Sequence, residues 1–338
     1  MRCCRPALAV ALLAPGLLAG CQPYRTEVAQ DHYARGIMAM EADDLWRALA
    51  ELKKAVEFDS KLSLAHAAIG DIHRKQGNHK LAAEAYELAC ESNPYAFRPH
   101  YNLGVTYQQL AGEIAAPEAG DDYIRRAVQV YLRAVTLKPD DFDTNLNLSA
   151  CYFQQGKYDM AEQYCKASIQ ATPSNPYAYS NLGIIYDAQN RPYDAIRAYK
   201  DSLERDVHQP KLLLNLGSTY LRLGRLAEAL HAFELAAKED PNSPDPWVQI
   251  GTCHFLKKDY DQASLAYDKA RQLDDRCPDA YRGLGVVYMT QFLLDPGKAE
   301  LRDQGLAAWN RSLEFDSNQP DLLRLVRKYT PRLANPGL

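Results

Sequence analysis

The side chains of this chain that could perform catalysis or hold a metal include eight histidines, eight cysteines and 43 carboxylates. Their spacing builds no recognisable centre. There is no His-Glu-x-x-His pair to offer two imidazoles to zinc from one helical face. There is also no Gly-x-Ser-x-Gly elbow, no glycine-rich phosphate loop and no dinucleotide fingerprint. Cys90, Cys151, Cys165, Cys253 and Cys277 show no C-x-x-C spacing, so zinc is not expected. Cys151 and Cys165 leave open a disulfide or, better, two buried thiols behaving as small hydrophobes. The expectation is no enzyme, no cofactor and no metal.

One set of chemistry-bearing residues does recur at regular spacing, the primary amides of Asn102, Asn147, Asn181 and Asn215, followed by Gln249. Each amide offers one acceptor and two donors, the complement of an extended peptide backbone. Tyr101, Leu146, Phe153, Ile184 and Phe255 flank them and would make such a surface partly apolar. The chemistry that these residues point to is recognition of a polypeptide by its main chain.

Regular amides need a regular scaffold, and the chain has a 34-residue period. Small residues fall at Gly36, Gly70, Gly104, Ser149, Gly183, Gly217, Gly251 and Gly285, each 34 apart except for one interval of 45. Twelve residues on, a second small residue follows at Ala48, Ala82, Ala161, Ala195, Ala229 and Ala263. A large ring stands four later at Tyr86, Tyr131, Tyr199, Phe233, Tyr267 and Trp309. Small residues let two helices approach, and rings three or four apart line one face, which predicts antiparallel helix pairs. Five of the histidines (His32, His66, His73, His100 and His254) occupy ring positions of this pattern and read as core. His79, His208 and His231 read as surface.

The pattern resembles the tetratricopeptide repeat. Asn215-Leu216-Gly217-Ser218-Thr219-Tyr220 through Ala229, Phe233, Ala236 and Pro241 is a near-consensus copy. The resemblance implies an all-α fold, a right-handed α-solenoid of about eight repeats with a C-terminal capping helix. The units fall at 29–62, 63–96, 97–141, 142–175, 176–209, 210–243, 244–277 and 278–319, the first degenerate. Extra residues around 112–122 and 294–302 should project from one edge. The segment 320–338 supplies a capping helix and tail, with Leu322, Leu323 and Val326 inward. In this family the first helices line a concave surface, and the amides resemble the asparagine ladder of O-GlcNAc transferase. The Lys and Asn pattern of chaperone-binding clamps is missing.

The N-terminus adds a location. Arg2 and Arg5 precede 13 largely apolar residues, too short to span a bilayer, and then Leu18-Ala19-Gly20-Cys21. This resembles a bacterial lipobox, which implies a signal peptide at 1–20, lipidation of Cys21 and a tether over 21–28. Gln22 after the cysteine implies the periplasmic face of an outer membrane. The formal charge of −4 gives no basic stripe, so nucleic acid is a poor partner. The combined expectation is a membrane-anchored, non-catalytic adaptor that binds other proteins or peptides in the cell envelope. Two alternatives stay open, an accessory subunit of an enzyme such as a glycosyltransferase or protease, and a cytoplasmic adaptor whose apparent signal is misread.

Overall fold

The computed structural model describes residues 21–114 and 117–330, and among them are 17 α-helices and no strand. The chain forms two compact units, residues 1–171 and 172–338. The first holds α1 (Cys21–Glu41), α2 (Leu45–Phe58), α3 (Ser63–Lys75), α4 (His79–Ser92), α5 (Phe97–Glu113), α6 (Pro117–Leu137), α7 (Phe142–Gln154) and α8 (Tyr158–Ala171). The second holds α9 (Pro176–Ala188), α10 (Pro192–Leu203), α11 (Pro210–Arg222), α12 (Leu226–Glu239), α13 (Asp245–Leu256), α14 (Tyr260–Leu273), α15 (Pro278–Leu294), α16 (Ala299–Phe315) and α17 (Pro320–Tyr329). Eight helix pairs are thus followed by one single helix. Within each unit the first helices of successive repeats touch, α1 with α3 and α5 with α7, α9 with α11 and α13 with α15. Each unit therefore curves towards its first helices.

The pairs start and turn for local reasons. Asp44, Asp141 and Asn175 cap helix starts by accepting the backbone N–H of Arg47, Thr144 and Tyr177. Proline opens α9, α10, α11, α15 and α17, where its missing N–H costs nothing. The turn inside a pair needs a left-handed residue at one fixed position. Gly77, Gly156 and Gly224 supply it, and Asp43, Asn190 and Lys258 adopt it at φ of 58°, 57° and 62°. Lys258 is the least suited, because its Cβ crowds the following carbonyl.

The pairs close through the small residues. A Cβ added at Gly70 would lie 2.6 Å from the Tyr86 ring, at Gly104 2.5 Å from Tyr131, and at Gly217 2.5 Å from Phe233. These rings are fully buried. In repeat four both partners differ, with Ser149 for glycine and Cys165 for the ring, and both are buried. The Ser149 hydroxyl donates to the Ala161 carbonyl at 2.8 Å, so it is satisfied inside the contact.

Several details depart from the sequence-based expectation. Residues 21–28, expected as the tether, are the first turns of α1. Seven helical residues rise ~10 Å, because Pro23 is tolerated in the first turn and the helix runs unbroken into buried Ala29. Residues 1–20 and the Cys21 side chain lie outside the described residues. The extra residues of repeats three and eight mostly lengthen helices, giving 17 and 21 residues in α5 and α6 and 17 each in α15 and α16. His79, expected at the surface, is half-buried, with its side chain 16% exposed and paired with Glu113 of α5.

Both ends of the array depart from the internal pattern in a way that stops it. In α3 the face that meets the preceding pair carries Ala65, Ile69 and Ile72, all buried. The corresponding residues of α1 are Asp31, Arg35 and Met38, where Arg35 pairs with Asp31 and Met38 is 66% exposed. At the other end Leu322, Val326 and Tyr329 pack with Trp309 of α16. Leu323, expected inward, is 38% exposed, because α17 is a first helix with no described second helix. Arg327 stands there at the position that Gly217 holds in repeat six. No ring could dock against it.

Candidate peptide groove

The first-helix face of each unit carries the recurring amides, and the two units use them differently. In unit one they are engaged within the fold. Asn102 on α5 donates from Nδ2 to Asp71 Oδ1 of α3 at 3.1 Å. Asp71 also accepts the Tyr86 hydroxyl at 2.5 Å, and Arg74 donates to that hydroxyl at 3.3 Å. Burial and the Asp71 carboxylate push the Tyr86 phenol well above its ordinary value, so it stays a donor. Asn147 on α7 is half-buried against Tyr101 and Tyr131 of the preceding repeat. Tyr131 donates to Gln108 at 2.6 Å. Asn102 is thus a bracket between neighbouring repeats.

In unit two the corresponding amides have no such role. Asn181 on α9 and Gln249 on α13 are half-buried, and Asn215 on α11 is exposed. Among the described residues, none of the three has a hydrogen bond to its side chain. The polar bracket of this unit is formed by other residues. Asp187 accepts the Tyr199 hydroxyl at 3.0 Å and the Thr219 hydroxyl at 2.6 Å, and pairs with Arg222 at 2.5 Å. Three successive first helices therefore present amides whose donors and acceptors are available. Ile184 lies beside them, half-buried, with Lys211 exposed one turn before Asn215.

The flanking residues also divide. Tyr101 is half-buried between Phe97, at 6.1 Å between ring centroids, and Tyr131, at 6.2 Å. Leu146 is half-buried on α7. Phe153 and Phe255, expected to line the groove, are half-buried, and their rings pack on Tyr158 and Tyr260 at 5.5 and 5.7 Å. Each closes its own turn against the first residue of the second helix, and Phe255 also joins the core around Tyr267 and Leu284. Asp71, Asp187 and Gln108 were not foreseen. The signal available for them was a polar residue on an otherwise apolar first-helix face.

Several other titratable residues have roles within the fold. Cys151 and Cys165 are buried thiols, and burial pushes both up to about 12, so neither is a nucleophile at neutral pH. His32 contacts Glu51 at 2.7 Å, which with Lys54 holds that carboxyl down at about 2. His66 and His100 bond the carbonyls of Ser60 and Ala96 at 2.9 and 2.8 Å.

Comparison with known proteins places these helix pairs among characterised repeats. Models described as tetratricopeptide repeat match residues 140–206, 180–244 and 220–286, and one described as TPR repeat matches 70–110. The tetratricopeptide repeat-containing protein trd-1 of Caenorhabditis elegans is 24% identical over 157 residues, 46% of this chain but only 19% of the worm protein. The photosystem I assembly protein Ycf3 of Synechococcus sp. (strain CC9605) is 27% identical over 126 residues, 35% of this chain and 72% of its own length. Among solved structures, Pseudomonas aeruginosa pilF superposes with a TM-score of 0.50 at 18% identity, covering 64% of this chain and 94% of its own. YrrB, described as a TPR protein with an unusual peptide-binding site, gives 0.48 at 20% identity, covering 59% and 96%. These likenesses speak to fold.

Proposed function

The chain is a tetratricopeptide-repeat protein and hence a protein–protein interaction scaffold, and from that premise we propose that it binds an extended polypeptide on the first-helix face of unit two. The observation that carries this reading is the division of the amides. Asn102 is spent on a neighbouring repeat and Asn147 lies half-buried against Tyr101 and Tyr131, while Asn181, Asn215 and Gln249 keep their hydrogen-bonding groups for a ligand. A ladder of amides on α9, α11 and α13 would grip main chain, and Ile184 beside it would favour apolar side chains. The scaffold is attached to a membrane by lipidated Cys21 and works in the cell envelope, where it supports assembly of protein complexes. The short first turns of α1 would hold the array close to the bilayer.

In-cell photo-crosslinking from position 184, followed by mass spectrometry, identifies the bound segment. Asn181→Ala, Asn215→Ala and Gln249→Ala together should weaken its binding about 10- to 100-fold, at about 1 kcal/mol per lost hydrogen bond. Unchanged affinity in the triple variant overturns the groove assignment. Separately, Cys21→Ser should release the protein from the membrane fraction. Membrane retention of that variant would overturn the anchor.

A further inference from the structure

Among the described first helices, α1 starts earliest relative to its repeat. It runs over 21 residues where α3 runs over 13, and its added turns come before the first 34-residue unit begins. The helix-pair pattern does not call for these turns. They form one wall of a polar cleft of about 590 Å³, within the ~300–1,000 Å³ range of small-molecule sites. Arg25 and Thr26 line it from α1, and residues 57–61 line it from the end of α2 and the loop to α3.

The charges of this cleft are balanced but not paired. Arg25 and Lys61 bring two cations, and Glu57 and Asp59 bring two carboxylates. Among the described residues, no ion pair joins these four. The Arg25 guanidinium donates to the Glu57 carbonyl at 3.4 Å, and the Asp59 carboxylate accepts the backbone N–H of Lys61 at 3.0 Å. The Lys61 ammonium and the Glu57 carboxylate are exposed and keep their hydrogen-bonding groups.

A ligand that answers both signs at once is a zwitterion. A simple anion would set its own charge against the two carboxylates. The cationic end must be a primary ammonium, whose N–H groups can donate to Glu57. A trimethylammonium has no such donor and is held by cages of aromatic rings, whereas Phe58 is the one ring among the lining residues. The anionic end suits a phosphate, which a guanidinium and an ammonium together can hold. Position narrows the source. Arg25 follows Cys21 by four residues on one helix, ~6 Å along its axis and on the same face.

We propose that this cleft binds the phosphoethanolamine headgroup of a membrane phospholipid, with the phosphate on Arg25 and Lys61 and the ammonium on Glu57. The chemistry of the ligand follows from the cleft alone; its source in a membrane rests on the reading of Cys21 as lipidated. The headgroup gives the first repeat a second point of attachment to the bilayer and restrains how α1 meets the surface.

Native mass spectrometry of the full chain in a non-ionic detergent, titrated with dihexanoyl phosphatidylethanolamine to about 1 mM, tests this. One bound lipid per chain is expected, held at least ~10-fold more tightly than dihexanoyl phosphatidylcholine or phosphatidylglycerol. Glu57→Gln should remove the preference for ethanolamine over choline. Arg25→Gln with Lys61→Gln should weaken phosphatidylethanolamine binding about 10-fold. All three side chains are exposed, so circular dichroism and the unfolding curve should not change. Cys21→Ser should bind the lipid as before, so failure of the anchor and failure of the cleft are read separately. Equal binding of the three lipids overturns the proposal, as does a preference that survives Glu57→Gln. Displacement by free O-phosphoethanolamine at equal concentration identifies a soluble ligand and overturns the membrane source.

Discussion

Repeat six and repeat four meet the same packing demand with opposite volumes. In repeat six, Gly217 contributes no side chain and Phe233 fills the contact. In repeat four, Ser149 brings a hydroxymethyl group and Cys165 gives way to it. The fold therefore constrains the summed volume where two helices meet, and requires any hydroxyl there to be satisfied; it does not constrain residue identity.

The strongest way to break this comparison is Gly217→Leu. With Phe233 already 2.5 Å from where a Cβ would sit, the variant should lose about 3 kcal/mol or more in urea unfolding. Cys165→Tyr restores the ring in repeat four but keeps Ser149, and should cost about 2 kcal/mol. Adding Ser149→Gly should recover most of that loss. A double-mutant cycle with no coupling between 149 and 165 would show that volume exchange is not the rule.

The same logic separates the amides of the two units. Asn102→Ala removes a hydrogen bond to a carboxylate and should cost about 1–2 kcal/mol of stability. Asn215→Ala, exposed and without a protein partner, should change stability by less than about 0.5 kcal/mol. Equal losses in thermal unfolding would erase the distinction on which the groove assignment rests. At the turn position, Lys258→Gly should gain about 1 kcal/mol and Gly224→Ala should lose a similar amount.

A smaller, pH-dependent effect belongs to repeat one, where a polar pair holds α1 to α2. Folding lowers the Glu51 carboxyl from 4.5 to about 2, chiefly through His32 and then Lys54. A lowered carboxyl favours the folded state when ionised, so this contribution is present above about pH 4.5. It is lost as pH falls towards 2. His32→Ala should flatten that part of the acid-stability profile, measured by unfolding at fixed pH. An unchanged profile would remove the pair from the account of how the degenerate repeat stays attached.

Much of the fold was legible because its rules act over short distances. Gly70 and Tyr86 lie 16 residues apart and meet across one turn, so their types and spacing announce the contact. The left-handed turn residue and the opening prolines are equally local. A half-apolar first-helix face does not reveal which of its rings, such as Phe153 and Phe255, also closes a turn. The same ambiguity made Leu323 look inward, when the helix that would cover it is not among those described. The segment 21–28 was read from its place between Cys21 and the first repeat, which leaves helix and extended chain equally open.

The sequence alone determined the period, the helix pairs, the interlocking of small residues with rings, and the repertoire of side chains that could touch a ligand. Only the tertiary structure decided which of those side chains remain free to do so. Asn102 meets Asp71 from a repeat away, 31 residues earlier, and Tyr164 stacks on Tyr152 across its own helix pair. Such outcomes depend on how one pair is rotated against the next. That rotation is set by the sum of many side-chain volumes at the interface, and no single spacing in the chain records it.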